Sequence, residues 1–365
     1  MNKSIVIASV LKPTDDVRGY WKIAQSIAQT NNYDINIIGN EGKKVCDDKR
    51  ITFHPHQVQG NSPIKRWIIR KRILVKILKL KPQLLIITTH ELINISLLVK
   101  IITGCKVIYD VQENYSSNIK YLTPTIPKLL YRRVIQLKEN LSKYWISEYW
   151  LAEKCYLYEL KFIKGKAKII ENKATKFIRK RNVSEKVKLL FSGTISEYSG
   201  VKNAINLLVK IQEKHPSTSL KIIGQIHDES LMKFLEKKQN ELTNIELNIS
   251  KKSIPYEDIL DAIFFANIGI IGYELNEVNQ NKIPTKLYEY SRYQLPFIVS
   301  ENSRWSEIGA LLGGAIPINF DWPKIEKVLE KYENTSILFP KNYPEEATWE
   351  QESNKIKSSI ETLLK

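Results

Sequence analysis

Cysteine is scarce in this chain and scattered along it. The 365 residues include three cysteines, Cys46, Cys105 and Cys155, an odd number at wide spacing that predicts neither a disulfide framework nor a zinc site. There is no run of about 18 uninterrupted apolar residues, so no membrane-spanning helix is predicted. The apolar run at residues 4–11 ends at a lysine and indicates a first buried strand rather than a secretory signal. These features favour a reducing, cytoplasmic setting.

Several catalytic signatures are missing too. The sequence has no Asp-x-Asp pair, no Gly-x-Ser-x-Gly nucleophile elbow and no Walker phosphate loop. The segment His54-Pro55-His56 has no further metal ligands around it, so we interpret it as the end of a strand or loop. Of the other histidines, His90 follows a predicted buried strand and is the one expected to reach a ligand. Nothing here indicates a metal site.

Acidic residues are sparse in the first half. The chain has a formal charge of +17, and residues 1–175 carry 30 Lys and Arg against 14 Asp and Glu, whereas the rest carries 26 against 25. Segment 65–81 alone has eight basic residues and no acid, with apolar residues at helical spacing. A basic amphipathic helix with a tryptophan suits an anionic membrane surface. The predicted membrane-facing residues are Lys65, Arg66, Trp67, Arg70, Lys71 and Arg72.

Segment 128–134 is a second, weaker candidate for membrane contact. Two alternatives to membrane contact remain for the basic surface of segment 65–81. The first alternative is an ordinary core-packed helix with a solvated basic face. The second is nucleic acid, which any basic surface attracts, but no recognisable nucleic-acid motif accompanies it. We therefore predict an anionic membrane as the partner of this half, and no nucleic acid.

Apolar strand-like runs alternate with helix-like stretches, a pattern typical of parallel sheets with helices on both faces. The length predicts two domains, with residues 1–175 first, 176–342 second and a C-terminal helix at 343–365 that crosses back to the first domain. The predicted strands lie at 4–11, 33–39, 83–88, 106–111, 149–152 and 168–171, and then at 187–192, 219–224, 245–249, 268–272, 296–300 and 315–318.

Segment 282–290, Lys-Ile-Pro-Thr-Lys-Leu-Tyr-Glu-Tyr, is the most informative in the chain. Pro284 is favoured at a helix start, and the free N–H groups there bind phosphate. Lys286 and Glu289 are three residues apart and share one helix face. A lysine for phosphate beside a carboxylate for ribose hydroxyls suits a nucleoside diphosphate. The alternative is a buried helix with an incidental Lys/Glu pair.

This segment resembles the signature of retaining, nucleotide-sugar-dependent glycosyltransferases of the GT-B fold, specifically family 4 and its relatives, the group 1 glycosyltransferases. The resemblance implies two Rossmann-like, doubly wound parallel-sheet domains facing a central cleft, with Glu289 on the donor ribose and no metal or other cofactor. It departs from the family at Asn281, where many members carry an acid that touches the transferred sugar. The donor-binding residues it implies by position are Gly193, Thr194, Lys202, Gly224, Tyr256, Tyr273, Lys282, Pro284, Thr285, Lys286 and Glu289.

Two loops of the first half resemble a subset of the same family. Asp16, Arg18 and Gly19 follow the first strand in a segment similar to an Asp-x-Arg loop. The fourth strand leads into Tyr-Asp-Val-Gln-Glu, where Gln112 replaces a histidine and leaves any acid–base role to Glu113. The alternatives are a surface turn with a solvated arginine, and a strand-end Asp/Glu pair that caps the next helix. The predicted acceptor-side residues are Asp16, Arg18, Gly19 and His90, and the predicted catalytic residues are Arg18, Glu113 and Asn281.

The function that the resemblance implies is transfer of a sugar from a nucleoside diphosphate sugar to a glycan or lipid-linked acceptor. Together with the basic first half, it indicates surface polysaccharide or glycoconjugate synthesis by a peripheral protein at the inner face of the plasma membrane. One alternative is a GT-B nucleotide-sugar epimerase. The other is a catalytically silent, membrane-associated scaffold, for which the missing acid at Asn281 is the best argument.

Overall fold

A computed structural model of the chain describes residues 3–44, 46, 48–56, 63–120, 125–163, 165–177, 179, 181, 186–333 and 338–365. The chain divides into two units. The first is Met1–Asn172 with Trp349–Lys365, and the second is Lys173–Thr348. The sequence-based domains end at residues 175 and 342, three and six residues away from these divisions.

A parallel sheet forms the centre of the first unit. Its strands are β1 Lys3–Pro13, β2 Tyr33–Asn40, β3 Ile51–His56, β4 Leu84–Ile87, β5 Lys106–Val111, β6 Glu148–Leu151 and β7 Ala167–Ile169. They are ordered β3-β2-β1-β4-β5-β6-β7. The order reverses between β1 and β4, which is the point where open parallel sheets bind ligands beyond the carboxyl ends of their strands.

Helices cover both faces of this sheet. A π-helix, Val17–Ala24, runs directly into α1, Gln25–Ala28. On one face Val6 and Ala8 belong to an apolar cluster with residues of α2 and α3, and on the other Ile5 and Ile7 pack with residues of the π-helix and of the chain's last helix. This alternation is what a strand buried on both sides requires. The further helices are α2 Pro63–Leu80, α3 Ile93–Thr103, α4 Tyr115–Lys120, α5 Ile126–Ser142 and α6 Tyr156–Glu159.

The second unit repeats the plan with a six-stranded parallel sheet. The strands are β8 Lys188–Ile195, β9 Ser219–Ile226, β10 Ile245–Ser250, β11 Ile268–Ile271, β12 Phe297–Ser300 and β13 Ala315–Ile318. Their order is β10-β9-β8-β11-β12-β13, so the switch point lies between β8 and β11. The helices are α7 Val201–Gln212, α8 Glu229–Glu241, α9 Tyr256–Phe265, α10 Thr285–Arg292, α11 Ser303–Leu312 and α12 Ile325–Glu333.

The last helix, α13 Trp349–Leu364, belongs to the first unit. Trp349, Ile356 and Ile360 are buried in the same apolar cluster as β1 and the π-helix. The Trp349 ring nitrogen donates a hydrogen bond of 2.9 Å to the Ser26 hydroxyl. The apolar positions of this helix, and not only its charges, therefore decide where it packs.

The predicted α/β class with two doubly wound parallel sheets is confirmed. Residues 54–56 were interpreted as the end of a strand or loop and do end β3, but the rest of this strand was not predicted. It lies at the edge of its sheet beside β2 and contains Pro55, a residue that argues against a central strand but is tolerated at an edge. The prediction that β8 ends at Ser192 is wrong, because pairing with β9 continues to Ile195. None of the described helices is long and apolar enough to cross a membrane.

Candidate active site

Close packing of glycines shapes the switch point of the second sheet. Gly193 of β8 pairs in register with Gly224 of β9, and a Cβ on Gly224 would lie 1.7 Å from the carbonyl oxygen of Gly193. Gly200, which precedes α7, has φ of +81°, and a Cβ there would lie 1.6 Å from the carbonyl oxygen of Gly272. No side chain fits at these contacts. Backbone therefore lines this end of the sheet.

Gly200→Ala is expected to destabilise the protein by about 3 kcal/mol or more, because the new methyl group collides with backbone and the residue must keep a left-handed conformation. Gly104 is the matched control, since it has φ of +72° but open space around its Cβ position. Gly104→Ala incurs the conformational strain alone, about 1–2 kcal/mol. Urea unfolding of both variants measures the difference, and equal losses would show that the close approach to Gly272 is unimportant.

Helix α10 places a charged side chain beside this backbone. Pro284 occupies the residue before the helix, with φ of −56°. Lys286 lies in the first turn, and a Cβ on Gly193 would meet its Cε at 2.9 Å and its Nζ at 3.3 Å. The ammonium group lies 4.8 Å from the ring centroid of Phe191 and 5.7 Å from that of Tyr273. The lysine is therefore held over the glycine pair by aromatic faces.

Lys286 is only 8% exposed. Burial lowers the pKa of its ammonium group to about 8, while the charge of Glu289 acts in the opposite direction. Desolvation of a cation that has a carboxylate one helical turn away explains both effects. At neutral pH the group is therefore mostly charged, and a bound anion would hold its proton more firmly.

Glu289 is buried and oriented by tyrosines. It is 6% exposed, and the Tyr256 hydroxyl donates a hydrogen bond of 2.9 Å to its Oε1. The phenol of Tyr293 lies beside that of Tyr256, and its own hydroxyl donates to the carbonyl oxygen of Thr175 at 3.1 Å. Burial and the Glu289 charge raise the pKa of Tyr256 far above its usual value. The tyrosine thus stays protonated and continues to donate to the carboxylate.

The side chain of Tyr256 has a structural contact that the sequence did not indicate. By position, Tyr256 was predicted as a donor-binding residue. Its side chain is 6% exposed and contacts Glu289. The Tyr256 hydroxyl therefore orients the Glu289 carboxylate, a pairing that nothing in the sequence spacing of residues 256 and 289 indicated. Its role in donor binding stays a prediction.

The other predicted donor residues lie around α10 and β8 with different surroundings. Lys202 forms an ion pair with Glu197 and lies 5.5 Å from the ring centroid of Phe234. Asn281 is exposed, and its carbonyl oxygen accepts a hydrogen bond of 2.8 Å from Arg304. The carbonyl oxygen of Lys282 accepts one of 2.7 Å from the Trp305 ring. Helix α11 thus fixes the backbone of Asn281 and Lys282. Thr194 is exposed, and Tyr273 and Thr285 are partly buried.

In the first unit, Arg18 is part of a buried ion pair. It is 3% exposed and its partner Asp110 is fully buried. The Arg18 Nη2 and Nε donate to the two carboxylate oxygens of Asp110 at 2.6 and 2.8 Å, and Nη2 also donates to the carbonyl oxygen of Ile170 at 2.9 Å. The interpretation as a solvated surface arginine is wrong. Arg18 ties β5 to the end of β7, and its predicted catalytic role stays a prediction.

The loop before Arg18 acts as a helix cap. The Asp16 side chain accepts hydrogen bonds from the backbone N–H groups of Arg18 at 3.1 Å and Gly19 at 3.0 Å. The helix therefore begins at Val17, directly after the capping residue. After β5, Glu113 is exposed and accepts a hydrogen bond from the Asn118 side chain at 3.0 Å.

Helix α4, which follows β5, has a different cap from the one proposed. The side chain of Asn114 accepts from the backbone N–H of Ser117 at 3.1 Å, while Asp110 is occupied by Arg18. The Asp/Glu pair therefore does not cap this helix. Gln112 donates to Asp110 at 2.9 Å, which adds a further hydrogen bond to the buried carboxylate.

His90 follows β4 and is buried. Its Nε2 lies 3.0 Å from the Tyr131 hydroxyl, and its Nδ1 is buried without a hydrogen-bond partner among the described residues. Burial and the charges of Lys138, Arg66 and Arg70 lower its pKa to about 4. His90 is therefore neutral at physiological pH. In the described part of the chain, no cluster of three or more His, Cys, Asp or Glu side chains could hold a metal ion.

Glu139 on α5 is a buried acid that sequence reasoning missed. It is 3% exposed and lies near the phenols of Tyr109 and Tyr149. Burial raises its pKa from 4.5 to about 8. In the sequence, Glu139 is a carboxylate between apolar positions of an amphipathic helix. Many exposed carboxylates have the same sequence setting, so the pattern does not reveal its burial.

Glu139→Gln is expected to remove a pH dependence of stability. The folded protein holds the Glu139 proton up to about pH 8, whereas the unfolded chain releases it near its ordinary pKa, so the free energy of unfolding falls as pH rises between these values. At pH 8 the variant should be more stable than the wild type by on the order of 2–4 kcal/mol, with little difference at pH 4. Unfolding curves across this range test it. The control is Glu236→Gln, which changes an exposed helical carboxylate on α8; parallel curves for wild type and Glu139→Gln would contradict the prediction.

Helix α2 presents only part of its predicted basic face to solvent. Ile69, Ile73 and Ile77 are buried, and Arg66 is paired with Glu91 at 3.0 Å. Arg70 is half-buried, so the predicted membrane-facing set is divided. The exposed members are Lys65, Trp67, Lys71 and Arg72, with the Lys71 ammonium 3.6 Å from the Trp67 ring centroid.

Exposed apolar side chains extend this face to two neighbouring helices. Helix α3 packs against both α2 and α5. The exposed large apolar residues of the three helices are Ile64, Trp67, Ile68, Val75, Leu98, Ile101, Ile102, Ile126, Leu129, Leu130, Tyr131, Val134, Leu137 and Leu141. Apolar exposure on this scale marks an interaction surface. The segment predicted as the weaker candidate, 128–134, contributes Leu129, Leu130, Tyr131 and Val134 to it.

Together, the sheet orders of the two units and the switch-point geometry of the second define the fold of GT-B glycosyltransferases. Sucrose-phosphate synthase from Thermosynechococcus elongatus superposes with a TM-score of 0.69 over 99% of both chains at 10% identity. Anabaena HepE, solved with UDP-glucose, gives 0.62 over 98% of this chain and 99% of its own at 10% identity. WaaG, a glycosyltransferase involved in lipopolysaccharide biosynthesis, gives 0.63 at 12% identity, with 97% and 95% covered. Comparison with protein-family models and with curated protein sequences gives no match.

Proposed function

We propose that this protein is a retaining glycosyltransferase that uses a nucleoside diphosphate sugar as donor. The observation that carries the proposal is the placement of Lys286 over the Gly193–Gly224 backbone with Glu289 one turn further along the same helix. A cation, free backbone and a carboxylate are the groups that a diphosphate and a ribose require. HepE, which shares the fold over its full length, was solved with UDP-glucose.

The proposed mechanism is electrostatic. Lys286 and the N-terminal amides of α10 stabilise the charge that develops on the diphosphate as its bond to the anomeric carbon breaks. Glu289, held by Tyr256, accepts hydrogen bonds from the ribose hydroxyls. The acceptor hydroxyl oxygen bonds to the anomeric carbon from the face that the diphosphate leaves, and the hydroxyl proton passes to the departing diphosphate oxygen. Lys282 adds positive charge nearby. Asn281 occupies the position at which many members of the family that this segment resembles carry an acid.

Thermal stability in the presence of UDP-, GDP-, CMP- and dTDP-linked sugars tests donor use. A donor at 100 times its dissociation constant should raise the free energy of unfolding by about 2.7 kcal/mol. The expected result is stabilisation by one donor class and release of its nucleotide when acceptor is added. An epimeric sugar formed without acceptor would instead identify an epimerase. A folded protein that no donor stabilises would favour the scaffold.

We further propose that the acceptor is membrane-held and that α2, α3 and α5 rest on the cytoplasmic face of the plasma membrane. The exposed apolar side chains of these helices are flanked by Lys65, Lys71, Arg72 and Arg133. An interfacial protein needs apolar surface for the acyl boundary and basic residues for anionic headgroups. A lipid-linked glycan in surface polysaccharide or glycoconjugate synthesis fits such a position.

Vesicle binding is expected to depend on both parts of this surface. Because each basic residue near an anionic membrane contributes about 1 kcal/mol, Lys65→Gln/Lys71→Gln/Arg72→Gln should weaken binding to phosphatidylserine-containing vesicles at least 30-fold. At high salt, where charge interactions are screened, the remaining binding depends on apolar contact. The triple variant Leu129→Ser/Leu130→Ser/Leu137→Ser should weaken this remaining binding. The control, Lys233→Gln/Lys237→Gln/Lys252→Gln, removes three exposed charges from the second unit. Equal loss in the control would mean that net charge alone drives association.

A further inference from the structure

A pocket lies in the second unit at the C-terminal end of α10. It has a volume of about 650 Å³, within the range of small-molecule sites. Arg292 and Tyr293 from the end of α10 line it together with Arg181 and Lys341. Lys286 is in the first turn of α10, so the candidate donor site is at the other end of the helix.

Aromatic rings form one wall of the pocket. Phe177, Phe264 and Tyr293 follow one another, with ring centroids 6.3 Å apart for the first pair and 5.4 Å for the second. Phe177 is 40% exposed. Exposed ring surface beside guanidinium groups is a stacking platform for a flat ligand.

Two of the arginines that line the pocket bind to other groups of the protein. Arg179 is paired with Asp261. Arg181 donates to the carbonyl oxygens of Ala266 and Gln294, the latter at 2.6 Å, and so neutralises the negative ends of α9 and α10. These two arginines therefore have partners inside the protein.

The charge left over is positive. Arg292 lies 4.8 Å from the ring centroid of Tyr343, neither Arg292 nor Lys341 has a carboxylate partner among the described residues, and none of the described lining residues is acidic. The Nε of Arg181 is buried without a hydrogen-bond acceptor in the described part of the chain. Burial also lowers the pKa of Arg181. Two cations without a carboxylate partner at a cavity match a phosphate group, which carries a charge of about −1.5 to −2.

We propose that this pocket binds a small phosphomonoester that carries a flat ring, such as a nucleoside monophosphate. The phosphate lies between Arg292 and Lys341, and the ring lies on Phe177. This site is separate from the donor site and does not depend on the proposed transfer reaction.

Calorimetric titration with AMP, UMP, inorganic phosphate, adenosine and uridine tests the proposal. Both monophosphates are expected to bind, inorganic phosphate more weakly, and the uncharged nucleosides not at all. Arg292→Gln/Lys341→Gln should weaken monophosphate binding at least about tenfold. These exchanges leave Arg181, which holds the helix ends, in place. Phe177→Ala should weaken the monophosphates but not inorganic phosphate.

Two controls keep this site distinct from the candidate donor site. Lys286→Met should leave monophosphate binding unchanged, and Lys324→Gln/Lys331→Gln removes two exposed charges elsewhere in the unit. Binding that Lys286→Met abolishes, or that Arg292→Gln/Lys341→Gln leaves intact, would overturn the proposal. Absence of binding at millimolar ligand would overturn it as well. Failure of the donor-sugar titration would not, because it concerns the other end of α10.

Discussion

Glu289→Ala is expected to weaken binding of the donor sugar nucleotide by about 10- to 100-fold. Hydrogen bonds to a charged group contribute about 1.5–3 kcal/mol, and each 1.4 kcal/mol corresponds to a factor of ten. In this site the carboxylate is 6% exposed and already oriented by Tyr256, so it loses little freedom when ribose binds. Titration of the donor identified by thermal stability measures the effect.

Two further variants separate the charge of Glu289 from its position. Glu289→Gln keeps an oxygen for the Tyr256 hydroxyl but removes the charge, so its loss should be smaller than that of alanine. Tyr256→Phe keeps the charge but removes the hydrogen bond that orients it, and should weaken donor binding only a few fold. Glu307→Ala, an exposed carboxylate on α11, is the control. Wild-type affinity in a folded Glu289→Ala protein would exclude Glu289 from the ribose site.

Sequence periodicity predicted the two sheets because their strands are buried on both faces and are almost continuously apolar. The central strands β4 and β11, Leu84–Ile87 and Ile268–Ile271, are entirely buried. Only the end of the edge strand β3 was predicted, because its polar and proline-containing sequence follows the rules of an exposed edge. Local pattern thus identifies the centre of a sheet better than its border.

The candidate site was predictable only where its residues are neighbours in sequence. Lys286 and Glu289 are one helical turn apart, and that spacing placed them on the same face. The Arg18–Asp110 ion pair and the Tyr256–Glu289 hydrogen bond join residues 92 and 33 positions apart, and only the sheet order brings them together. An arginine in a loop and a buried arginine have the same sequence signal, and so the burial of Arg18 was not foreseen.

The pH dependence of donor affinity should follow the ammonium group of Lys286. Its pKa of about 8 in the free protein means that it is charged at pH 7 and mostly neutral at pH 9. Because the diphosphate binds the charged form, the dissociation constant should rise with pH, by up to tenfold per unit above pH 8. Lys286→Met should abolish this dependence and lower the rate of transfer by about 100-fold or more, as loss of a donor to a developing charge does elsewhere.

The carboxylate one turn away provides a sharper test of the same idea. Glu289 raises the pKa of Lys286, so Glu289→Gln should move the onset of weakened binding below pH 8, and not merely lower affinity by a constant factor. Lys202→Met should leave the onset at its wild-type pH, because Lys202 pairs with Glu197 on the surface. An onset that stays at pH 8 in Glu289→Gln would mean that the titrating group is not Lys286. If the pH at which binding begins to weaken moves, phosphate and ribose recognition are coupled through these two side chains. The carboxylate of Glu289, which binds the ribose hydroxyls, then also keeps the phosphate-binding Lys286 protonated.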